Sequence, residues 1–317
     1  MKSTIRIGHL GLLESAPLLA AQSQGFFTEE GLDVELSCEL GVAAICGRLS
    51  DQRIDGACLP AQMPVLLSLG AGVSRVPMTP VLLTSSQDLA IVLNSKAAAP
   101  EKHARASSGV LKIGVLGHSS PACHLVRRWL QSETVGVKED PVYVSLAASQ
   151  LLYFFEEGLI DGFCGLDPLP VLAHLSADGV VVSSSGAISP VHPGGVVALR
   201  TEFAKDRPAL VAPLARALRR ACEFCAHPAN RETVWSLVLA QNPFVLTSDE
   251  HRAALLAQSL EGKPDHLSIR FENPRGQIGV DAQGARFIEQ ACRASLGAGE
   301  RHLDIVGEID RLYPRAA

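Results

Sequence analysis

Short apolar runs alternate with amphipathic stretches along this chain, in two series separated by one polar interruption. That alternation limits the fold to sheets with helices on their faces. In the first series "TIRIGHLG" alternates and stops at glycine, and "SAPLLAAQSQGFF" has helical spacing after a serine with proline two positions on. "LDVELSCEL" then alternates again, which completes a β-α-β unit. There follow an amphipathic helix "VAAICGRLSDQRI", a short buried strand "DGACLP", a helix "QMPVLLSLGAG" ended by glycines, and an apolar strand "VPMTPVLLTS". In the connector "GFFTEEGLDVEL", Gly25 ends a helix, Phe26 and Phe27 pack on the sheet, Gly31 turns the chain, and Val34 and Leu36 point inward from an edge-side strand.

The polar passage from Ser95 to Gly109 breaks this rhythm, and "LKIGVLG" starts the second series at Lys112. Helices are expected at "ACHLVRRWLQSE", "SQLLYFFEEGLI" and "LPVLAHLSADG", and strands at "PVYVSL", "DGFCGL" and "VVVSSS". After "VHPGGVVALR" the pattern turns almost wholly helical, including "SDEHRAALLAQSL" and "DAQGARFIEQACRASL", and these helices are expected to cover the first lobe again. The lobes also echo each other. "LSDQRIDGACLP" answers "FEEGLIDGFCGLDP", each with a helix end, an Ile-Asp-Gly turn, a Cys-bearing strand and a Pro-containing loop.

A length of 317 residues accommodates two lobes with cores of their own, and 47% hydrophobic against 19% charged residues excludes a disordered or fibrous chain. The net charge of -5, with scattered Lys and Arg, supplies no basic stripe for a phosphate backbone, so no direct nucleic-acid ligand is expected. Glu14 and Pro17 interrupt the N-terminal apolar residues before a secretory segment forms. A cytoplasmic location is therefore expected for the chain as given, and a periplasmic one if its start is misassigned. No run reaches the roughly 20 apolar residues of a membrane span. The eight cysteines sit mostly in apolar segments and read as reduced thiols. Cys222 and Cys225, followed by His227, share one face of an amphipathic helix with no second pair to complete a metal site. No Gly-x-Ser-x-Gly elbow, phosphate loop, His-Glu-x-x-His or dinucleotide fingerprint occurs, so neither an enzyme nor a cofactor is expected.

Taken in order, "IRIGHLGLLESAPLLAAQSQGFFTEEGLDVELSCE", "LSDQRIDGACLPAQMPVLLSLGAG", "GLIDGFCGLDPLP" and "HPGGVVALRTEFAKDRPALVAPLARALRRACEF" resemble the nitrate- and bicarbonate-binding branch of ABC-transporter substrate-binding proteins. That branch includes cytoplasmic nitrate/nitrite sensors paired with an RNA-binding antiterminator. The resemblance, over residues 4 to 295, implies a two-lobe α/β fold of the type II periplasmic-binding-protein class with a hinged ligand cleft. Lobe I would comprise residues 1–87 and 197–317, and lobe II residues 88–196. A sensor of a small, nitrate-like anion or polar solute is implied, acting by cleft closure on a regulatory partner. The alternatives are the receptor of an ABC permease and an enzyme on the same fold. Positions implied to touch nitrate correspond to Val42, Gln87, Ala122 and Pro190, of which only Gln87 keeps the expected residue type.

Candidate ligand residues follow from the carboxyl ends of strands, where doubly wound sheets open their crevice. "GHSSPACH" offers His118, Ser119, Ser120 and His124 at a strand-to-helix turn, with a capped helix as the plain alternative for the serines. Gln62 and Met63 follow the Asp-Gly-Ala strand, while Gln87 and Asp88 lie at the first crossover. Asp167 is expected to cap the helix before Pro168, with coordination of a cation or repulsion of anions as the alternatives, and His192 opens the return crossover.

Overall fold

The computed structural model describes residues 4–72, 74–86, 89–98, 110–132, 140–176, 178–190, 192–241, 269–271 and 279–314. Strand β1 (Thr4–His9), helices α1 (Ala16–Ser23) and α2 (Phe26–Glu29), β2 (Asp33–Cys38), α3 (Val42–Ser50), β3 (Gly56–Pro60), α4 (Met63–Leu69) and β4 (Met78–Leu83) follow one another in the first lobe. The chain then crosses through β5 (Leu89–Asn94) into β6 (Lys112–Val115), α5 (Pro121–Leu130), β7 (Val142–Ser145), α6 (Ala148–Glu156), β8 (Gly162–Leu166), α7 (Leu169–Ser176), β9 (Gly179–Ser184) and α8 (Ser185–Ile188). It returns in β10 (Gly195–Arg200), followed by α9 (Thr201–Asp206), α10 (Pro208–Ala226), α11 (Arg231–Ala240), α12 (Ala282–Ser295) and α13 (Ile305–Leu312).

Two five-stranded sheets result, in the orders β2-β1-β3-β10-β4 and β7-β6-β8-β5-β9. In each, three parallel strands are joined by an antiparallel strand that has just crossed from the other lobe: β10 on β3, and β5 on β8. This is the two-lobe type II periplasmic-binding-protein architecture. Between the lobes the connectors pair with each other. Thr84 N–H donates to Gly195 O, Gly194 N–H donates to Ser85 O, and the Ser85 hydroxyl accepts Gly195 N–H, each at 2.8 Å. Ser86 also exchanges two 2.9 Å hydrogen bonds with Arg270.

The internal echo has a structural cause. Asp55 N–H donates to Arg6 O and its carboxylate accepts Arg6 N–H; Asp161 does the same with Lys112, both carboxylate contacts spanning 49 residues. Each aspartate thereby ties the start of the third strand to the start of the first. The glycine that follows touches the crossover strand. A Cβ at Gly56 would lie 2.6 Å from Ala198 O, and one at Gly162 would lie 2.3 Å from Val92 O. Only a residue without Cβ lets the antiparallel strand come this close.

Two sequence expectations change. Phe27 is buried with α1 as expected, but Phe26 meets α10 rather than the sheet, edge-on to Phe224 at 6.3 Å and under the Arg220 guanidinium. Helices α10 and α11 do cover the first lobe on α1, whereas α12 packs on α5 of lobe II as well as on α4 and α13. The expected helix "SDEHRAALLAQSL" lies outside the described residues.

Gly162→Ala and Gly56→Ala are each expected to destabilise the protein by about 1–3 kcal/mol through overpacking against a carbonyl. Gly47→Ala, in open space inside α3, should instead be neutral or stabilising by up to about 1 kcal/mol. Urea midpoints of the three variants measure the difference.

Candidate functional site

The three parallel strands of each lobe end at the same crevice. A cavity of about 510 Å³ lies there, lined by Leu10, Glu14, residues 40–44, Cys46, Pro60 and Met63 from the first lobe. Leu89, residues 116–121, residues 145–147 and Leu166 line it from the second, with Gly194 and Gly195 at the connector. Its size is that of a site for an organic ligand, within the usual range of about 300–1,000 Å³.

Each of these parallel strands leads into a helix, and the starts of α3, α5 and α6 stand at the cavity wall. α3 starts after Gly41 with no side-chain cap, and α5 starts after Ser120, whose hydroxyl accepts Ala122 N–H at 3.2 Å. α6 starts after Ala147, whose N–H donates to Gln150 Oε1 at 3.0 Å. Their first amides and the positive ends of their dipoles suit electronegative ligand atoms. Small residues at Gly41, Ala43, Ala44 and Ala147 leave those amides reachable.

The residues singled out in the sequence fall into three groups. Met63, His118, Ser119 and Ser120 line the cavity, with His118 exposed at its rim. Ser120 is also the expected helix cap. Gln62 is buried, at 2% exposed, and works between the lobes: its Nε2 donates to Ser119 O at 2.8 Å. Asp167 is buried just beyond Leu166 after a lobe-to-lobe bond in which Leu13 N–H donates to Asp167 O at 2.9 Å. Its Oδ1 has no hydrogen-bond partner among the described residues.

His124 and His192 do not line the cavity. Both rings lie on Phe287 of α12, at centroid distances of 5.8 Å and 4.5 Å, so they buttress the connector from behind. Gln87 and Asp88 lie outside the described residues. Val42, one of the positions implied to touch nitrate, is at the cavity wall; Ala122 is fully buried in α5.

Sequence reasoning missed Glu14 as a site residue. It stands 4% exposed in the turn Leu13–Ser15 after β1, in a segment otherwise made of Leu, Ser, Ala and Pro. The signal was there: an acid amid apolar residues at a strand's carboxyl end. His9, fully buried at the last position of β1, accepts Gly11 N–H on Nδ1 at 3.0 Å. Burial lowers its pKa to about 4, so it stays neutral.

Comparison with known proteins bears on this geometry. Residues 1–239 match the NMT1-like family. The chain is 31% identical over 261 residues to the nitrate import ATP-binding protein NrtC of Synechocystis, which covers 79% of this chain but 39% of that protein. It is 24% identical over 318 residues to the bicarbonate-binding protein CmpA of Synechococcus elongatus, covering 92% of this chain and 71% of that one. Against the ATP-binding import relatives the chain spans about half their length or less. Among solved structures, the periplasmic nitrate-binding protein NrtA from Synechocystis superposes with a TM-score of 0.80 at 18% identity, over 99% of this chain and 86% of that one. The aliphatic sulphonate binding protein SsuA from Escherichia coli gives 0.64 at 16% identity, over 92% and 91%.

Burial raises the Asp167 pKa to about 7. An unfolded chain releases this proton near 3.9, so the folded state's advantage is full below that pH and is lost as pH rises toward 7. Asp167→Asn should therefore gain stability relative to the parent between pH 4 and pH 8, by on the order of 1 kcal/mol, read from melting temperatures at the two pH values. Gln62→Ala removes a buried bond between lobes worth about 1 kcal/mol, and small-angle scattering should report a larger radius of gyration for the variant without ligand.

Proposed function

We propose, from the premise that the chain belongs to the NMT1-like family, that it is a solute-binding protein that captures a small polar molecule between its two lobes. The observation that carries this reading is the cavity itself, lined from both lobes at the carboxyl ends of their parallel strands. A molecule held there touches both walls only when the lobes are closed, so its extra contacts favour the closed form. The paired connectors at Ser85 and Gly194 are short and hydrogen-bonded, which suits a hinge that turns two rigid sheets. A role as the receptor of an import system is the use suggested by relatives named for nitrate import and bicarbonate binding. The same closed form would serve a regulatory protein in the cytoplasm, with occupancy as the signal. Nothing in the site asks for covalent chemistry. Glu14 and the serines lie in a wall built for enclosure.

The decisive measurement is ligand-driven closure. A ligand at 100 times its dissociation constant should stabilise the protein by about 2.7 kcal/mol, seen as a raised melting temperature, and should shrink the radius of gyration in small-angle scattering. The panel comprises nitrate, nitrite, bicarbonate, alkanesulfonates, and small amines, amides and carboxylates. A set of such solutes that moves neither observable at millimolar concentration would refute capture.

A further inference from the structure

Resting on the reading of this cleft as the solute site, we infer that its ligand is an amphiphilic organic molecule. Its acceptor end, a carbonyl or carboxylate oxygen, is held by neutral donors of the second lobe, and its hydrocarbon body lies on the first lobe against Leu40. Three features of the wall carry the inference.

First, the side-chain donors belong to one lobe. The second lobe presents the hydroxyls of Ser119, Ser120 and Ser145 to the cavity. Those of Ser119 and Ser145 are bonded to no other group among the described residues, and the Ser120 hydroxyl, which accepts Ala122 N–H at 3.2 Å, keeps its own O–H to donate. The starts of α5 and α6 stand beside them. Among the described residues no Lys or Arg lines the cavity. Hydroxyls and helix-start amides therefore do the holding, and they reward an acceptor oxygen whether or not it carries a full charge.

Second, the first lobe offers hydrocarbon. Leu10, Leu40, Val42, Pro60 and Met63 line its side, and Leu116, Leu146 and Leu166 continue that surface in the second lobe. A hydrocarbon body gains by leaving water for these contacts. The donors of the first-lobe wall are the amides of Val42, Ala43 and Ala44 at the uncapped start of α3, which suit a second acceptor atom on the body. Glu14 is also on this wall, but it has an interaction partner of its own within the protein, so the charge of the ligand is not read from it.

Third, Leu40 is 70% exposed and yet lines the cavity, directly before Gly41 and the start of α3. A lone leucine in water elsewhere on the surface would need no account. At the mouth of a cavity of about 510 Å³ it is an apolar lip that a body of several carbons covers and an ion of three or four atoms leaves wet. A ligand with both parts touches both lobes, and its contacts then favour closure.

The test varies one end of the probe at a time, on the intact chain, by calorimetric titration and small-angle scattering. Acetate, butyrate and hexanoate lengthen the body under a fixed head; hexanamide and hexylamine change the head on a fixed body; nitrate and bicarbonate complete the panel. The expected result is a dissociation constant that falls about three- to fourfold per added methylene from acetate to hexanoate. Hexanoate or hexanamide should also compact the protein. Leu40→Ser, a change at an exposed position, should weaken hexanoate by about threefold or more while acetate changes by less than about twofold. Ser119→Ala/Ser145→Ala should weaken acids and amides of every length by about tenfold, with circular dichroism confirming that both variants are folded. Nitrate, bicarbonate or hexylamine binding more tightly than hexanoate and hexanamide overturns the ligand class and leaves the solute-binding reading standing. So does an affinity indifferent to chain length or to either variant. If no probe of any class binds or changes the radius of gyration, the ligand class and the solute-binding reading fall together.

Discussion

The structure depends on an aspartate followed by a glycine at the start of the third strand in each lobe. The aspartate has two jobs at once. Its backbone N–H and carboxylate close a ring with the first strand, and its carbonyl accepts the crossover strand, from Arg200 N–H for Asp55 and from Asn94 N–H for Asp161. The glycine then removes the side chain that would hold that crossover strand away. A strand that leaves one lobe therefore finds a fitted place in the other. In lobe I the junction is reinforced by charge: burial works against ionising Asp55, but its bonds to Arg6 and the nearby Arg200 hold its pKa below the usual carboxylate value. In lobe II the same backbone geometry is held at Asp161 with no arginine paired to it among the described residues.

From this junction the position of the site follows. Pairing the starts of the first and third strands sets the parallel strands in register, and their carboxyl ends then finish at one level in each lobe. Exchange of β5 and β10 fixes the two levels face to face with a connector at their base. The cavity is thus a consequence of topology. Its chemistry is left to the few residues between strand end and helix start, which is why relatives on one fold can hold different solutes.

Much of the fold was legible in the sequence because strand and helix periods are local, and the Ile-Asp-Gly echo carried a real junction. What was not legible depended on long-range packing. That Phe26 would meet Phe224, and α12 would reach lobe II, is decided by partners far away in sequence. Of the residues chosen for their place at strand ends, Met63, His118, Ser119 and Ser120 line the cavity. His124 and His192, chosen as histidines near those ends, turn their rings to Phe287 instead. Glu14 was overlooked because an acid in an apolar turn reads locally as an interruption, and only the second lobe makes it a wall.

Those two histidines bear on how the cleft can move. α12 touches lobe II through His124 and the return connector through His192, while farther along its length Cys292 Sγ donates to Gln62 O at 3.8 Å in lobe I. Tyr313, after α13, adds a buried 2.6 Å bond to Ala61 O beside it. The turn Ala61–Gln62 is thus held from the C-terminal helices on one side, and on the other it holds Ser119 through its amide. The Gln62–Ser119 bond joins the two lobes directly, whereas the Cys292 and Tyr313 bonds anchor the same turn from the C-terminal helices. Ser119 stands just before α5, the helix that carries His124, so the Gln62–Ser119 bond and the His124–Phe287 contact hold the same helix from two sides.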